Sequence, residues 1–176
     1  WPKAQDALNS CATHAQAAIQ NLEDLAYLDC PELALKPSQL RLHALYDLPH
    51  ARLAQVLRTW LKQQNIQLPT TRVLHALIAS VIFARRDATP CMRLGAEVTI
   101  RRYRDALYLV YEEAVAAAVV ALPRIKANSR ISQRFRRGGE MMRWRGHTRS
   151  LKYLFQTLGV PPWLRDTIPL IFVDNT

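Results

Sequence analysis

Ten lysines and arginines lie between Arg124 and Lys152 against a single acid, Glu140, so 29 residues hold +9 of the chain's net charge of +10. The remainder is nearly neutral, with 14 basic and 13 acidic side chains. Cations this concentrated repel one another unless a polyanion or counterions neutralise them, so the chemistry to expect is contact with phosphates. The stretch RFRRGGEMMRWRGHTRSLK offers arginines on short strands, a glycine turn and a helix start. Such features bind anions through guanidinium groups and free backbone N–H groups. The candidate contacts are Arg137, Arg143, Arg145, Arg149, Lys152 and Arg165. On a regular strand Arg143 and Arg145 share a face, and a spacing of three puts Arg149 and Lys152 on one face of a helix. A solvated basic surface with no ligand is the competing reading.

A secondary basic group, Arg101, Arg102 and Arg104 with Arg85 and Arg86 nearby, extends this footprint, although Asp87, Glu97 and Asp105 are close enough in sequence to form exposed ion pairs. Trp144 stands between two arginines; if these face solvent, alternation turns the indole to the core rather than onto a base. Trp60 and Trp163 are also read as core. His147 is expected to cap a helix or to stay exposed. The other histidines are dispersed, and Cys11, Cys30 and Cys91 form no CxxC, so neither a metal site nor a disulfide framework is indicated. No P-loop, GxGxxG or GxSxG occurs, which leaves no catalytic or cofactor-binding residues to nominate.

These side chains must be positioned by an α+β fold: a helical domain with a small antiparallel β-hairpin or sheet, followed by a small basic α+β C-terminal domain. Residues 4–28 space Leu8, Ala12, Ala15, Ile19, Leu22 and Ala26 as an amphipathic helix, and its abrupt start predicts further sequence upstream. A helix over 49–64 carries Leu53, Val56, Leu57, Trp60 and Leu61, and Thr70 caps another with Val73, Leu74, Leu77, Ile78, Val81 and Ile82 inward. Period-two alternation over 98–103, a turn at Arg104-Asp105 and ALYLVY make a hairpin, with 91–94 as a short extra strand. Farther on, the sequence predicts two strands about a turn at Gly138-Gly139, a helix capped by Thr148 or Ser150 and ending at Gly159, a turn of helix in WLRD, and a last strand LIFV. The expected divisions are residues 1–36, a helix or linker from a missing N-terminal catalytic domain; 37–111; a linker over 112–133; and 134–176. No apolar run reaches 18 residues, AVAAAVVAL from Ala114 being too short to span a bilayer, which predicts a soluble cytoplasmic protein.

Three segments, LAQVLRTWLKQQNIQLPTTRVLHAL, ARRDATPCMRLGAEVTIRRYRDALYLV and RGGEMMRWRGHTRSLKYLFQTLGVPPWLRDTIPLIF, resemble the C-terminal half of the tRNA(Ile)-lysidine synthase family over residues 40–111 and 134–173. The resemblance implies a cytoplasmic bacterial enzyme that uses ATP to adenylate the wobble cytidine of an isoleucine tRNA and joins lysine to it. It implies that ATP belongs to an N-terminal catalytic domain with an SGGxDS loop, a motif missing from this chain. The C-terminal domains hold tRNA(Ile), so the chain is expected to bind tRNA without performing ligation alone. The family's basic loop and helix start fall on Arg143, Arg145, Arg149 and Lys152, and its PPWLRD on Arg165. The chain departs in having Tyr153 where the family usually has a second lysine, in a shorter stretch between Tyr111 and Arg134, and in an early end at Thr176. The alternatives are a stand-alone nucleic-acid-binding module or a partner-docking domain. A helix-turn-helix is disfavoured because VLHALIASVIF lacks a polar face for reading bases.

Overall fold

The computed structural model describes residues 2–85, 87–111 and 131–173. The chain divides into two compact units, residues 1–112 and 113–176. Arg86 and the expected linker over 112–130 lie outside the described residues.

The first unit opens with helix α1 (Pro2–Asp29). Its sequence stripe extends the whole length, yet only the C-terminal end is covered: Ala26 and the following Cys30 are buried, whereas Leu8, Ile19 and Leu22 are exposed. Asp29 anchors that end, accepting from both Nε (2.8 Å) and Nη2 of Arg52 on helix α2 (His50–Gln63). The a/d-like spacing in α2 buries Leu53, Val56, Leu57, Trp60 and Leu61, and the Trp60 indole N–H donates to the Pro37 carbonyl at 2.9 Å. Burying the indole therefore leaves no orphaned donor.

Thr70 caps α3 (Thr71–Leu77), its hydroxyl accepting from the Val73 N–H. The helix continues into a wider π turn over Ile78–Ile82, closed by the Phe83 N–H donating to Ile78 O at 3.0 Å. This i to i−5 bond adds a residue to the turn and changes the direction of the exit. The Ser80 hydroxyl also donates back to Ala76 O at 2.6 Å, a local competitor for the helical ladder.

A four-stranded antiparallel sheet packs with these helices in the order β1 (Gln39–Arg41), β4 (Ala106–Tyr111), β3 (Val98–Tyr103), β2 (Cys91–Leu94). The three later strands lie where the sequence placed them, β3 with the expected alternation, while β1 is an addition: three residues without a periodic signal, fixed by pairing Leu40 with Leu107. Along β3, Val98, Ile100 and Arg102 face inward and Thr99, Arg101 and Tyr103 are half-buried.

The second unit contains β5 (Ile131–Arg134), β6 (Met141–Trp144), β7 (His147–Ser150), α4 (Leu151–Thr157), α5 (Pro162–Arg165) and β8 (Leu170–Val173). Two strands about Gly138-Gly139 were expected to pair with each other. Instead β5 pairs with the terminal β8, and β6 pairs with β7 about Arg145-Gly146. The reason is local: Arg145 (φ 49°) and Gly146 (φ 83°) both take positive φ, the condition for a tight two-residue hairpin turn. Gly138-Gly139 closes a loop around a carboxylate. Ser150 caps α4 by accepting from the Tyr153 N–H at 3.3 Å. Gly159 ends it, with Gly159 N–H donating to Gln156 O and Val160 N–H to Phe155 O, the paired bonds of a left-handed helix stop. Leu151, Leu154, Phe155 and Pro161 are the buried apolar side chains of this unit among the described residues.

Candidate nucleic-acid interface

The β6–β7 hairpin carries the densest of the nominated arginines. Opposed residues share a face, so the pairs Met142–Arg149 and Trp144–His147 lie on one side and Arg143–Thr148 and Met141–Ser150 on the other. Arg143 therefore points away from Arg149. Nor do Arg143 and Arg145 share a strand face, since β6 stops at Trp144 and Arg145 forms the turn. Arg149 belongs to β7 rather than to a helix; Lys152 sits exposed in the first turn of α4.

What the hairpin brings together is a row of cation and ring pairs. The Arg145 guanidinium lies 5.9 Å from the Trp144 ring centroid, and that of Arg149 lies 5.5 Å from Tyr153. Trp144 does not enter a core as alternation predicted. It lines an apolar hollow of about 690 Å³ with Leu154 and Phe155 and remains 38% exposed, because a two-stranded ribbon has no sheet behind it to dry its face. In the sequence Tyr153 reads only as standing where the family usually has a second lysine, not as a ring partner for Arg149. Arg134 was passed over; its guanidinium lies 4.4 Å from the centroid of Phe172 on β8.

Local carboxylates are directed elsewhere. Between residues 131 and 173 the acids are Glu140 and Asp166. Asp166 Oδ1 accepts from Arg136 Nη1 at 3.3 Å, and Glu140 lies 4.0 Å from Arg136 Nε. Arg136 thus absorbs both, and no described carboxylate pairs with Arg137, Arg143, Arg145, Arg149 or Lys152. Arg165, at the end of α5, is half-buried and donates from Nε to Val160 O at 3.0 Å, so part of its donor set holds the helix stop.

Of the two backbone devices expected for phosphate, the glycine loop is filled and the helix start is partly occupied. The Glu140 carboxylate accepts from the N–H groups of Arg137 (2.5 Å) and Gly138 (3.0 Å), filling the glycine loop with an anion from the chain itself. These bonds, that of Arg137 first, hold the Glu140 carboxyl below its ordinary range. At the start of α4, the Leu151 N–H donates to Glu140 O and the Tyr153 N–H to Ser150. The side chains are thus the main groups left to meet an anion.

The secondary group divides. Arg102 is 4% exposed and its Nη1 donates to Ile82 O at 2.6 Å, its Nη2 to Arg85 O. It is a structural cation at the negative end of the α3 and π segment, not a ligand contact. The correction was legible: Arg102 continues the inward set of Val98 and Ile100. Arg101 is half-buried beside it on the other face, and Arg104 is exposed in the β3–β4 turn at φ 54°, over the Tyr103 ring at 5.4 Å. Arg-aromatic-Arg thus recurs at two hairpin ends, Arg102-Tyr103-Arg104 and Arg143-Trp144-Arg145, with the last arginine over the ring before it in each.

Comparison with known proteins matches both units. A family model described as the TilS substrate binding domain covers residues 40–108, and one described as the TilS substrate C-terminal domain covers residues 131–176. A tRNA(Ile)-lysidine synthase of Legionella pneumophila (strain Paris) is 34% identical over 200 residues, covering 99% of this chain and 46% of the relative. Those of Salmonella choleraesuis and Shigella flexneri are 31% and 30% identical over all of this chain, and 47% and 46% of their own lengths. The chain spans about half the length of these curated relatives, in their C-terminal part. Each alignment is longer than the chain, so the relatives carry residues that it lacks. No described helix is long and apolar enough to cross a membrane. The chain belongs to the tRNA(Ile)-lysidine synthase family, of which it carries the substrate-binding and C-terminal domains.

Proposed function

We propose that this chain holds tRNA(Ile) for a cytoplasmic enzyme that ligates lysine to the wobble cytidine, with ATP and the bond-making steps assigned to an N-terminal catalytic domain preceding it. The observation that carries the reading is the cationic hairpin and helix start, Arg145, Arg149 and Lys152 with Arg137 close in sequence, whose neighbouring carboxylates are taken up by Arg136. A cation without a carboxylate partner is free to exchange its counterions for a phosphate, and the released ions supply the driving force. A-form RNA hides its major-groove edges, so these side chains are assigned to phosphate and sugar along a duplex region of the tRNA body. Arg145, in the turn at the hairpin tip, is assigned the first contact. Arg143, on the opposite face, is assigned a peripheral electrostatic part.

The test is competition. Labelled tRNA(Ile) bound to the chain is displaced by unlabelled tRNA, by an RNA duplex and by a DNA duplex of equal length. The expected order is tRNA, then RNA duplex, then DNA. Equal displacement by DNA would reduce the site to a general polyanion surface, and no binding of tRNA would refute the reading.

A further inference from the structure

Beside the Arg104 turn, the first unit has a cleft of about 740 Å³ that the phosphate-binding reading does not use. It lies wholly inside the region matched by the substrate-binding domain. Its walls are aromatic: the rings of Tyr46 and Phe83 stand 6.1 Å apart with 54° between their planes, and His43 lines the same space. Phe83 is 53% exposed, an apolar ring left in water by the π turn that ends at Ile82. One end is polar, where Asp105 and Arg102 approach the Tyr46 hydroxyl. Arg104 completes the lining beside Asp105.

We infer that this cleft is a binding site for a single unstacked nucleotide of the RNA, its base lying on Phe83 and Tyr46 and its phosphate meeting Arg104. The chemistry matches part by part. An extruded base needs an aromatic face to replace the neighbours from which it was unstacked, a polar group at its edge and a cation for its backbone. Asp105 fixes a preference. An ionised carboxylate only accepts hydrogen bonds and carries several lone pairs, so it favours a base edge bearing an amino group. Adenine, cytosine and guanine present one there; uracil offers only N3–H, flanked by two carbonyl oxygens that repel a carboxylate. Arg102 cannot reverse this choice, since its guanidinium is committed to Ile82 O and Arg85 O. The π turn has a role in this arrangement: its extra residue turns Phe83 out of the core and into the cleft.

The inference rests on the reading of the chain as an RNA binder, and the two fail separately. Anisotropy titrations of the whole chain compare tRNA(Ile) with a blunt RNA duplex, for the parent, F83A and F83W. Phe83→Ala is expected to weaken tRNA binding by at least about fivefold, the lower bound for losing one base and ring stack, without affecting the duplex; Phe83→Trp restores it. Short oligoadenylate is expected to bind the parent more tightly than oligouridylate of equal length, and Asp105→Asn to remove that difference. Parent-like tRNA affinity in F83A, an equal loss on the duplex, or no preference between the two oligonucleotides would overturn the cleft assignment. If F83A weakens tRNA while R145A/R149A/K152A does not, the cleft stands and the hairpin reading falls. If the parent binds no tRNA, both fall.

Discussion

Arg102→Met separates structural from RNA-contacting arginines. The guanidinium is 4% exposed and makes charged hydrogen bonds to the carbonyl oxygens of Ile82 and Arg85. Each such bond contributes about 1.5–3 kcal/mol, so losing two removes roughly 3–6 kcal/mol. Methionine keeps an apolar stem in the same space, and removing a buried cation returns part of its desolvation cost. The expected net loss is about 2–4 kcal/mol, mainly because two carbonyl groups are left without donors. Native-state hydrogen exchange over Leu74–Phe83 reads this directly, since those amides report on the segment that Arg102 closes. Under conditions where the variant stays folded, the salt dependence of its tRNA binding should match the parent's, because a buried cation releases few counterions. Arg104→Ala, in the exposed turn, should change stability by no more than about 0.5 kcal/mol. A loss in R102M below about 1 kcal/mol, or a salt slope clearly shallower than the parent's, would refute the reasoning.

Arg145 occupies a left-handed position that asparagine tolerates far better, so Arg145→Asn should stabilise the second unit by about 0.5–1 kcal/mol while weakening tRNA binding, as read by hydrogen exchange in the hairpin and by anisotropy. The Glu140 carboxyl is held below its ordinary range in the folded chain, so its contribution to the 137–140 loop is full above the usual carboxylate range and is lost as pH falls through the folded value. Glu140→Gln should therefore show weaker protection of the Arg137 and Gly138 amides at neutral pH, and the gap from the parent should close in acid. A gap that widens in acid would reverse the sign of the assignment.

Helices and caps were legible because their causes are local. The spacing of Leu53, Val56, Leu57 and Trp60 identifies α2, and the hydroxyls of Thr70 and Ser150 mark helix starts that the structure retains. The second unit was less so, because its pairing is not local. Joining β5 to β8 requires partners about forty residues apart in sequence, and no periodicity within Ile131–Arg134 reveals Leu170–Val173 as its neighbour. Gly138-Gly139 drew the turn assignment because glycine pairs usually make hairpins, whereas here they shape a loop around Glu140. The charge excess drew attention to the β6–β7 hairpin region but could not give its faces. That required knowing where β6 ends, since a single residue decides whether Arg145 lies on the strand with Arg143 or in the turn over Trp144. The cleft at Phe83 had no sequence signature, as it joins residues from three separated segments around an irregular helix end.

The central claim is that the cations of the hairpin and helix start bind an RNA backbone. The most direct measurement is the affinity for tRNA(Ile) across a range of salt concentrations, for the parent and for R145A/R149A/K152A. With about six phosphates engaged, the parent's log affinity should fall with log salt at a slope of roughly −4 to −5, and removing three cations should make the slope shallower by about 2 to 3. A slope near zero in the parent, or one unchanged in the triple variant, would contradict the account.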